Sequence, residues 1–181
     1  MSEQVLVAGI GNIFNGDDGF GSETARRLQS YPLPEGVVVV DYGIRGMHLA
    51  YDLLEGYRAL IIIDAAPIKG SSPGDINVIE VGPEDLGTGD FDAHGMEPTA
   101  VLSSLGSLGG ALPPTYVIGC EPADLSERIG LSAPVAAAVD RAVEVFFAVL
   151  EEQLGIPRDP LSVPSTHFVS SAHESEPEGD L

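Results

Sequence analysis

Four short runs of apolar, largely β-branched residues constrain this chain more than any other feature: Val5–Ala8, Val37–Val40, Ala59–Ile63 and Thr115–Cys120. Each is the length of a strand. None shows the alternation of a half-exposed strand, so each reads as buried on both faces, as in a parallel sheet. The stretches between them carry helical periodicity over about 18–29, 47–54 and 98–108. A last helix runs from an N-capping Ser132 to about Leu154. It has Pro134 in the first turn, where proline is tolerated, and Val135, Val139, Ala142, Val143, Phe146 and Leu150 on one stripe. Ile76–Val81 mixes apolar residues with Asn77 and Glu80 and reads as an edge strand. Strands alternating with helices predict an α/β fold, a mainly parallel sheet with helices on both faces.

Charge and composition narrow the partners. Twenty-eight acids against 8 bases give a net charge of −20, a field that repels a phosphate backbone and argues against nucleic-acid binding. The single cysteine, Cys120, allows no intramolecular disulfide and suits a reducing cytoplasm. No apolar run approaches the length of a bilayer span, and the first residues carry no basic region, so neither membrane insertion nor a signal peptide is expected. No sustained heptad appears, and a monomer is expected. Past Gly155 the periodicity stops, and Pro, Ser, His and Glu dominate. The expected organisation is one domain over residues 1–155 and a disordered acidic tail over 156–181.

In open α/β sheets, ligands bind beyond the carboxyl ends of the strands. The chemistry-bearing residues predicted there are Gly9 to Asp18, Asp41 to Gly46, Asp64, a loop containing His94, and Cys120. Gly9-x-Gly11 between a strand and a helix resembles the start of a dinucleotide fingerprint, but Phe14 stands where the third glycine belongs. Asp17 and Asp18 also bring the wrong charge for a pyrophosphate at a helix N-terminus. Asp18, Asp64 and His94 are the alternative. Two carboxylates and one imidazole suit nickel or zinc and leave positions open for water or substrate. Taken singly, Asp18 could cap a helix, Asp64 could bond loop amides and His94 could be an ordinary loop histidine. Nucleophilic catalysis by Cys120 lacks a neighbouring base, and no Gly-x-Ser-x-Gly elbow occurs. His48 reads as a helix-surface residue, and His167 and His173 as parts of the tail. Arg45 could pair with an acid or touch a substrate.

Taken together, GIGNIFNGDDGFG, DYGIRG, LIIIDAAP, DAHGMEP and YVIGCEP, in that order over about residues 5–150, resemble the hydrogenase maturation proteases. The resemblance implies a three-layer α/β/α fold around a twisted sheet. It implies an endopeptidase that removes the C-terminal extension from a nickel–iron hydrogenase large-subunit precursor after nickel insertion. It assigns Asp18, Asp64 and His94 as metal ligands and catalytic residues. The metal would be substrate-borne nickel, with zinc or cadmium able to take its place. It leaves open whether that metal polarises the scissile carbonyl or activates a water. Asp41, Gly43 and Gly46 fall in the glycine-rich second loop, as a substrate loop or as support for the ligands. Tyr42 stands where the family often has glycine, Glu97 is an unusual neighbour of the histidine, and the tail has no counterpart. A non-catalytic assembly factor that binds the metallated subunit would carry the same residues.

Overall fold

A computed structural model describes residues 3–85 and 102–159. Strand β1 (Val5–Ile10) leads through a 3₁₀ turn (Gly16–Gly19) into α1 (Phe20–Leu28), followed by β2 (Val37–Gly43) and α2 (Gly46–Leu53). Then come β3 (Ala59–Ala65), β4 (Ile76–Val81), β5 (Thr115–Cys120) and α3 (Ala133–Leu154). The sheet order is β2-β1-β3-β5-β4. Its first four strands run parallel, and β4 pairs antiparallel with β5 at the edge, as its mixed pattern predicts. The strand residues Val5, Val7, Ile61, Ile63 and Ile118 pack one face against Phe20, Leu28, Phe146 and Leu150 of α1 and α3. Leu6, Ala8, Leu60, Ile62 and Val117 pack the other face against Leu49 and Leu53 of α2 and Leu102 and Leu105. Each fully buried side chain of this size contributes about 1.5–3 kcal/mol. Two such clusters on one sheet make the three-layer α/β/α architecture.

Several boundaries differ from the sequence expectation. β1, β2 and β3 each run two to three residues further, because parallel pairing with neighbours carries the ladder past the end of the apolar run. Asp64, expected where the third strand ends, lies within β3 opposite Gly119 of β5, one residue before its last. α1 begins at Phe20, so Asp17 and Asp18 occupy the preceding 3₁₀ turn, and neither caps the helix. Ser132 takes the N-cap position of α3, but its side chain makes no capping bond. Residues 122–131 form a loop. That segment is tied to the first loop by a bridge between Asn15 and Arg128 and by the bonds Gly16 N to Arg128 O and Arg128 N to Phe14 O. His94, most of the predicted 98–108 helix, and the tail from residue 160 with His167 and His173 lie outside the described residues.

The glycines of the first loop serve internal packing. A Cβ on Gly21 would come within 2.1 Å of the Ile63 carbonyl and 2.2 Å of the Ile10 carbonyl. A Cβ on Gly9 would meet Ala25 Cβ and the Gly21 carbonyl, both at 2.5 Å. α1 thus rests on bare backbone where β1 and β3 adjoin, and these two glycines permit the contact.

Candidate active site at the carboxyl ends of β1, β2 and β3

Three strand ends converge. Gly11 follows β1 with φ +133°, and a Cβ there would lie 1.8 Å from the Asp18 carbonyl oxygen and 3.7 Å from Asp64 Oδ1. The first loop therefore folds back so that Asp18 stands beside Asp64. The Asn12 amide fixes Asp18 by donating to its Oδ2 at 2.8 Å. Asp64 is 4% exposed. Burial, and after it the charge of Asp18, push its carboxyl well above the usual carboxylate range, against a lowering hydrogen bond from the Ala65 amide. A buried carboxyl whose ionisation a neighbouring acid opposes invites a proton or a cation. Among the described residues, no three His, Cys, Asp or Glu side chains form a ready metal site, and the third expected ligand, His94, lies outside them.

Asp17, the sequence neighbour of Asp18, does something else. It is fully buried and accepts from the amides of Ala123 and Asp124, each at 2.8 Å. It also accepts from the Ser132 amide at 2.6 Å and the Ser132 hydroxyl at 2.8 Å. Burial alone would raise its pKa, but the bonds from Ser132, Asp124 and Ala123 outweigh burial and hold it below the usual range. Asp17 clasps the 123–132 segment to the first loop, and Asp18 faces the site.

The second loop is built on Asp41. Its Oδ1 accepts from Ser22 Oγ at 2.7 Å and from the Gly43 amide at 3.1 Å, and its Oδ2 lies 3.5 Å from Arg26 Nε. Gly43, at φ +56°, presents its carbonyl to the Gly11 amide at 3.0 Å. A chain of bonds thus runs from α1 through Asp41 and Gly43 to Gly11, beside both acids. Gly46 opens α2. Among the described residues, Arg45 pairs with no acid: its Nε and Nη2 donate to the carbonyls of Tyr42 and Asp41 at 3.1 and 2.6 Å.

The register shift between Gly9/Ile10 and Asp41/Gly43 makes Tyr42 the extra residue of a β-bulge. Tyr42 is buried, and its hydroxyl donates to Asp52 Oδ2 of α2 at 2.5 Å. Burial and this bond keep the phenol protonated. The tyrosine in place of glycine is therefore accommodated in the core without positive φ, and it ties β2 to α2. Neither this tie nor the Asp17 clasp was anticipated from the residues. A bulky residue where the family often has glycine, and a second acid beside an expected ligand, were the available signals.

The cleft between the two loops, bordered by Gly11, Phe14, Ser22, Asp41, Gly43 and Arg45, holds about 210 Å³. That falls short of the roughly 300–1,000 Å³ of small-molecule and cofactor sites. Gly9 and Gly11 are committed to internal contacts with Ala25, Gly21 and Asp18 rather than to a pyrophosphate cradle. Cys120 is buried, and burial first, then the Asp17 charge, push its thiol up to about 12, so it is no nucleophile. His48 is exposed on α2.

Comparison with known proteins accords with this arrangement. A family profile described as hydrogenase maturation protease matches residues 23–149. The hydrogenase 2 maturation protease of Escherichia coli is 34% identical over 161 residues, covering 86% of this chain and 97% of that protein. The hydrogenase expression/formation protein HupD of Rhizobium leguminosarum is 34% identical over 151 residues, covering 81% of this chain and 74% of that protein. Among solved structures, the hydrogenase maturating endopeptidase HybD of E. coli superposes with a TM-score of 0.73 at 30% identity, over 90% of this chain and 98% of that one. A sheet with its glycine-seated first helix, two acids brought together by a folded-back loop, and similarity across nearly the whole described chain lead to one conclusion: this chain is an endopeptidase of the hydrogenase maturation protease family.

Proposed function

We propose that the protein removes the C-terminal extension of a nickel–iron hydrogenase large-subunit precursor, and that it does so once nickel has been inserted. In this reading the nickel arrives with the substrate. Asp18 and Asp64 grip it, His94 supplies the imidazole, and the loop from Asp41 to Gly46 holds the scissile segment. Zinc or cadmium would occupy the same oxygen and nitrogen donors. The protein would act as a cytoplasmic monomer. Among the described residues, no helix is long and apolar enough to cross a membrane.

One observation supports the reading best. The Asp64 carboxyl is buried and its ionisation is opposed by Asp18, an arrangement that costs free energy until a cation neutralises it. The same penalty that favours a proton on Asp64 is relieved when a divalent ion delivered by a partner takes the proton's place. Mass spectrometry of the precursor, with and without nickel, tests it. Loss of the C-terminal peptide only from the nickel-loaded sample is expected. An intact precursor that co-purifies with the protein would instead mark an assembly factor, and cleavage that survives Asp64→Ala or His94→Ala would refute the ligand assignment.

A further inference from the structure

Among the described residues, α2 and its flanks carry an apolar face that the core does not use. Its core side is filled by Leu49, Ala50 and Leu53. Ile44, Met47, Tyr51 and Leu54, spaced three, four and three positions apart, are 67, 48, 54 and 40% exposed. The spacing of Met47, Tyr51 and Leu54 aligns them along one side of α2, and Ile44 lies in the loop that leads into it. The stripe starts at Ile44, on the rim of the cleft, and Phe14, 60% exposed, stands on the opposite rim. Scattered apolar residues are normal on a surface, but a continuous row leading into a cleft marks an interaction site.

We infer that this stripe is the docking face for the body of the large-subunit precursor, an inference that rests on the function proposed above. Ile44 borders the cleft, and Gly11, on the same cleft, stands against Asp18 and Asp64. A polypeptide tail entering the site must therefore leave a partner surface seated beside α2. The charge around the row selects that partner. Exposed Glu55, and Asp52 bonded to Tyr42, lie beside the row and Arg45 and His48 near its start, on a chain of net charge −20, so the matching surface is an apolar patch with a net basic surround. A second copy of this chain fits poorly, because a two-fold contact would set these acids against their own equivalents. A modest face also suits an enzyme that must release its product, since transient contacts lie at the small end of the interface range.

Met47→Asp and Tyr51→Asp, made singly, test the inference by steady-state cleavage of the nickel-loaded precursor and by direct binding to it. We expect KM to rise about tenfold or more in each variant while kcat stays within about twofold, because only uniform binding is removed. The melting temperature should be unchanged, and the wild-type KM should rise with salt. Unchanged KM and binding in both variants would overturn the inference. So would a wild-type dimer in sedimentation that Met47→Asp dissociates, since the face would then serve self-association. If the wild type binds the precursor without cutting it, the endopeptidase reading fails, while weaker binding by the variants still supports the docking face. If it neither binds nor cuts, both fall.

Discussion

Asp17 and Asp64 are both buried aspartates near the carboxyl ends of the same sheet, and their surroundings push them in opposite directions. Asp17 is met by three amides and one hydroxyl, and its carboxylate is held below the usual range. Asp64 is met by another acid, and its carboxyl is held well above it. Burial is the common term, and the neighbours decide the sign. A carboxylate whose charge is answered inside the protein is a structural fastener. One whose charge is left unanswered is held ready for something from outside. Asp18, one residue along the same turn, is the boundary between the two.

The comparison can be broken most violently at the fastener. Asp17→Ala leaves the amides of Ala123, Asp124 and Ser132 facing a buried gap, and each orphaned donor costs about 1–3 kcal/mol. A loss of about 3 kcal/mol or more in urea unfolding is expected. A loss under about 1 kcal/mol would mean that the clasp matters little. Next comes Asp64→Asn, which keeps the shape and removes the charge. Processing should fall by at least about 100-fold, equivalent to about 2.7 kcal/mol, while the fold gains about 1 kcal/mol, as expected when a strained functional group is neutralised. Loss of stability together with activity would contradict the reading of Asp64. Tyr42→Phe removes the bond to Asp52 and should cost about 1.5–3 kcal/mol, as for hydrogen bonds to charged groups. An effect on unfolding with unchanged kcat would place Tyr42 in the frame rather than the chemistry.

Acidity sharpens the contrast with the smallest effects. Asp17 has a lowered folded pKa, so its stabilisation is complete above its unfolded value and is lost as pH falls through the folded one. Ser132→Ala, which deletes one of its donors, should move the acid unfolding midpoint to higher pH. For Asp64 the sign reverses. The raised folded pKa means that the penalty is absent in acid and grows as pH climbs through that value. The advantage of Asp64→Asn should therefore be near zero at about pH 4, close to the unfolded pKa, and widest in alkali. A constant advantage would show that Asp64 does not titrate in the fold.

Much of the architecture could be read from residue order. Thr115–Cys120 came out at its observed bounds because its apolar run is as long as its ladder. Ile76–Val81 was recognisable as an edge because Asn77 and Glu80 could not sit between two covered faces. The expected cluster at one sheet edge was Asp18, Asp64 and His94; Asp18 lies near enough to raise the pKa of Asp64, and His94 lies outside the described residues. The division of labour between Asp17 and Asp18 was not foreseen. It depends on amides more than a hundred residues away, contributed by a segment with no periodicity. The Tyr42 bulge was equally hidden, since a register shift is a property of two strands and not of one.

The bare contact of Gly21 with the carbonyls of Ile10 and Ile63 acts as a ruler for the site. It sets the height of α1 above the sheet, and with it the place of the turn that bears Asp18 relative to the strand that bears Asp64. A methyl group at Gly21 would have no room and would act as a shim, lifting the helix and widening the gap between the two acids without altering either. Homologous sequences would then be free to exchange one acid for another on the first loop, but not to thicken the spacer beneath it.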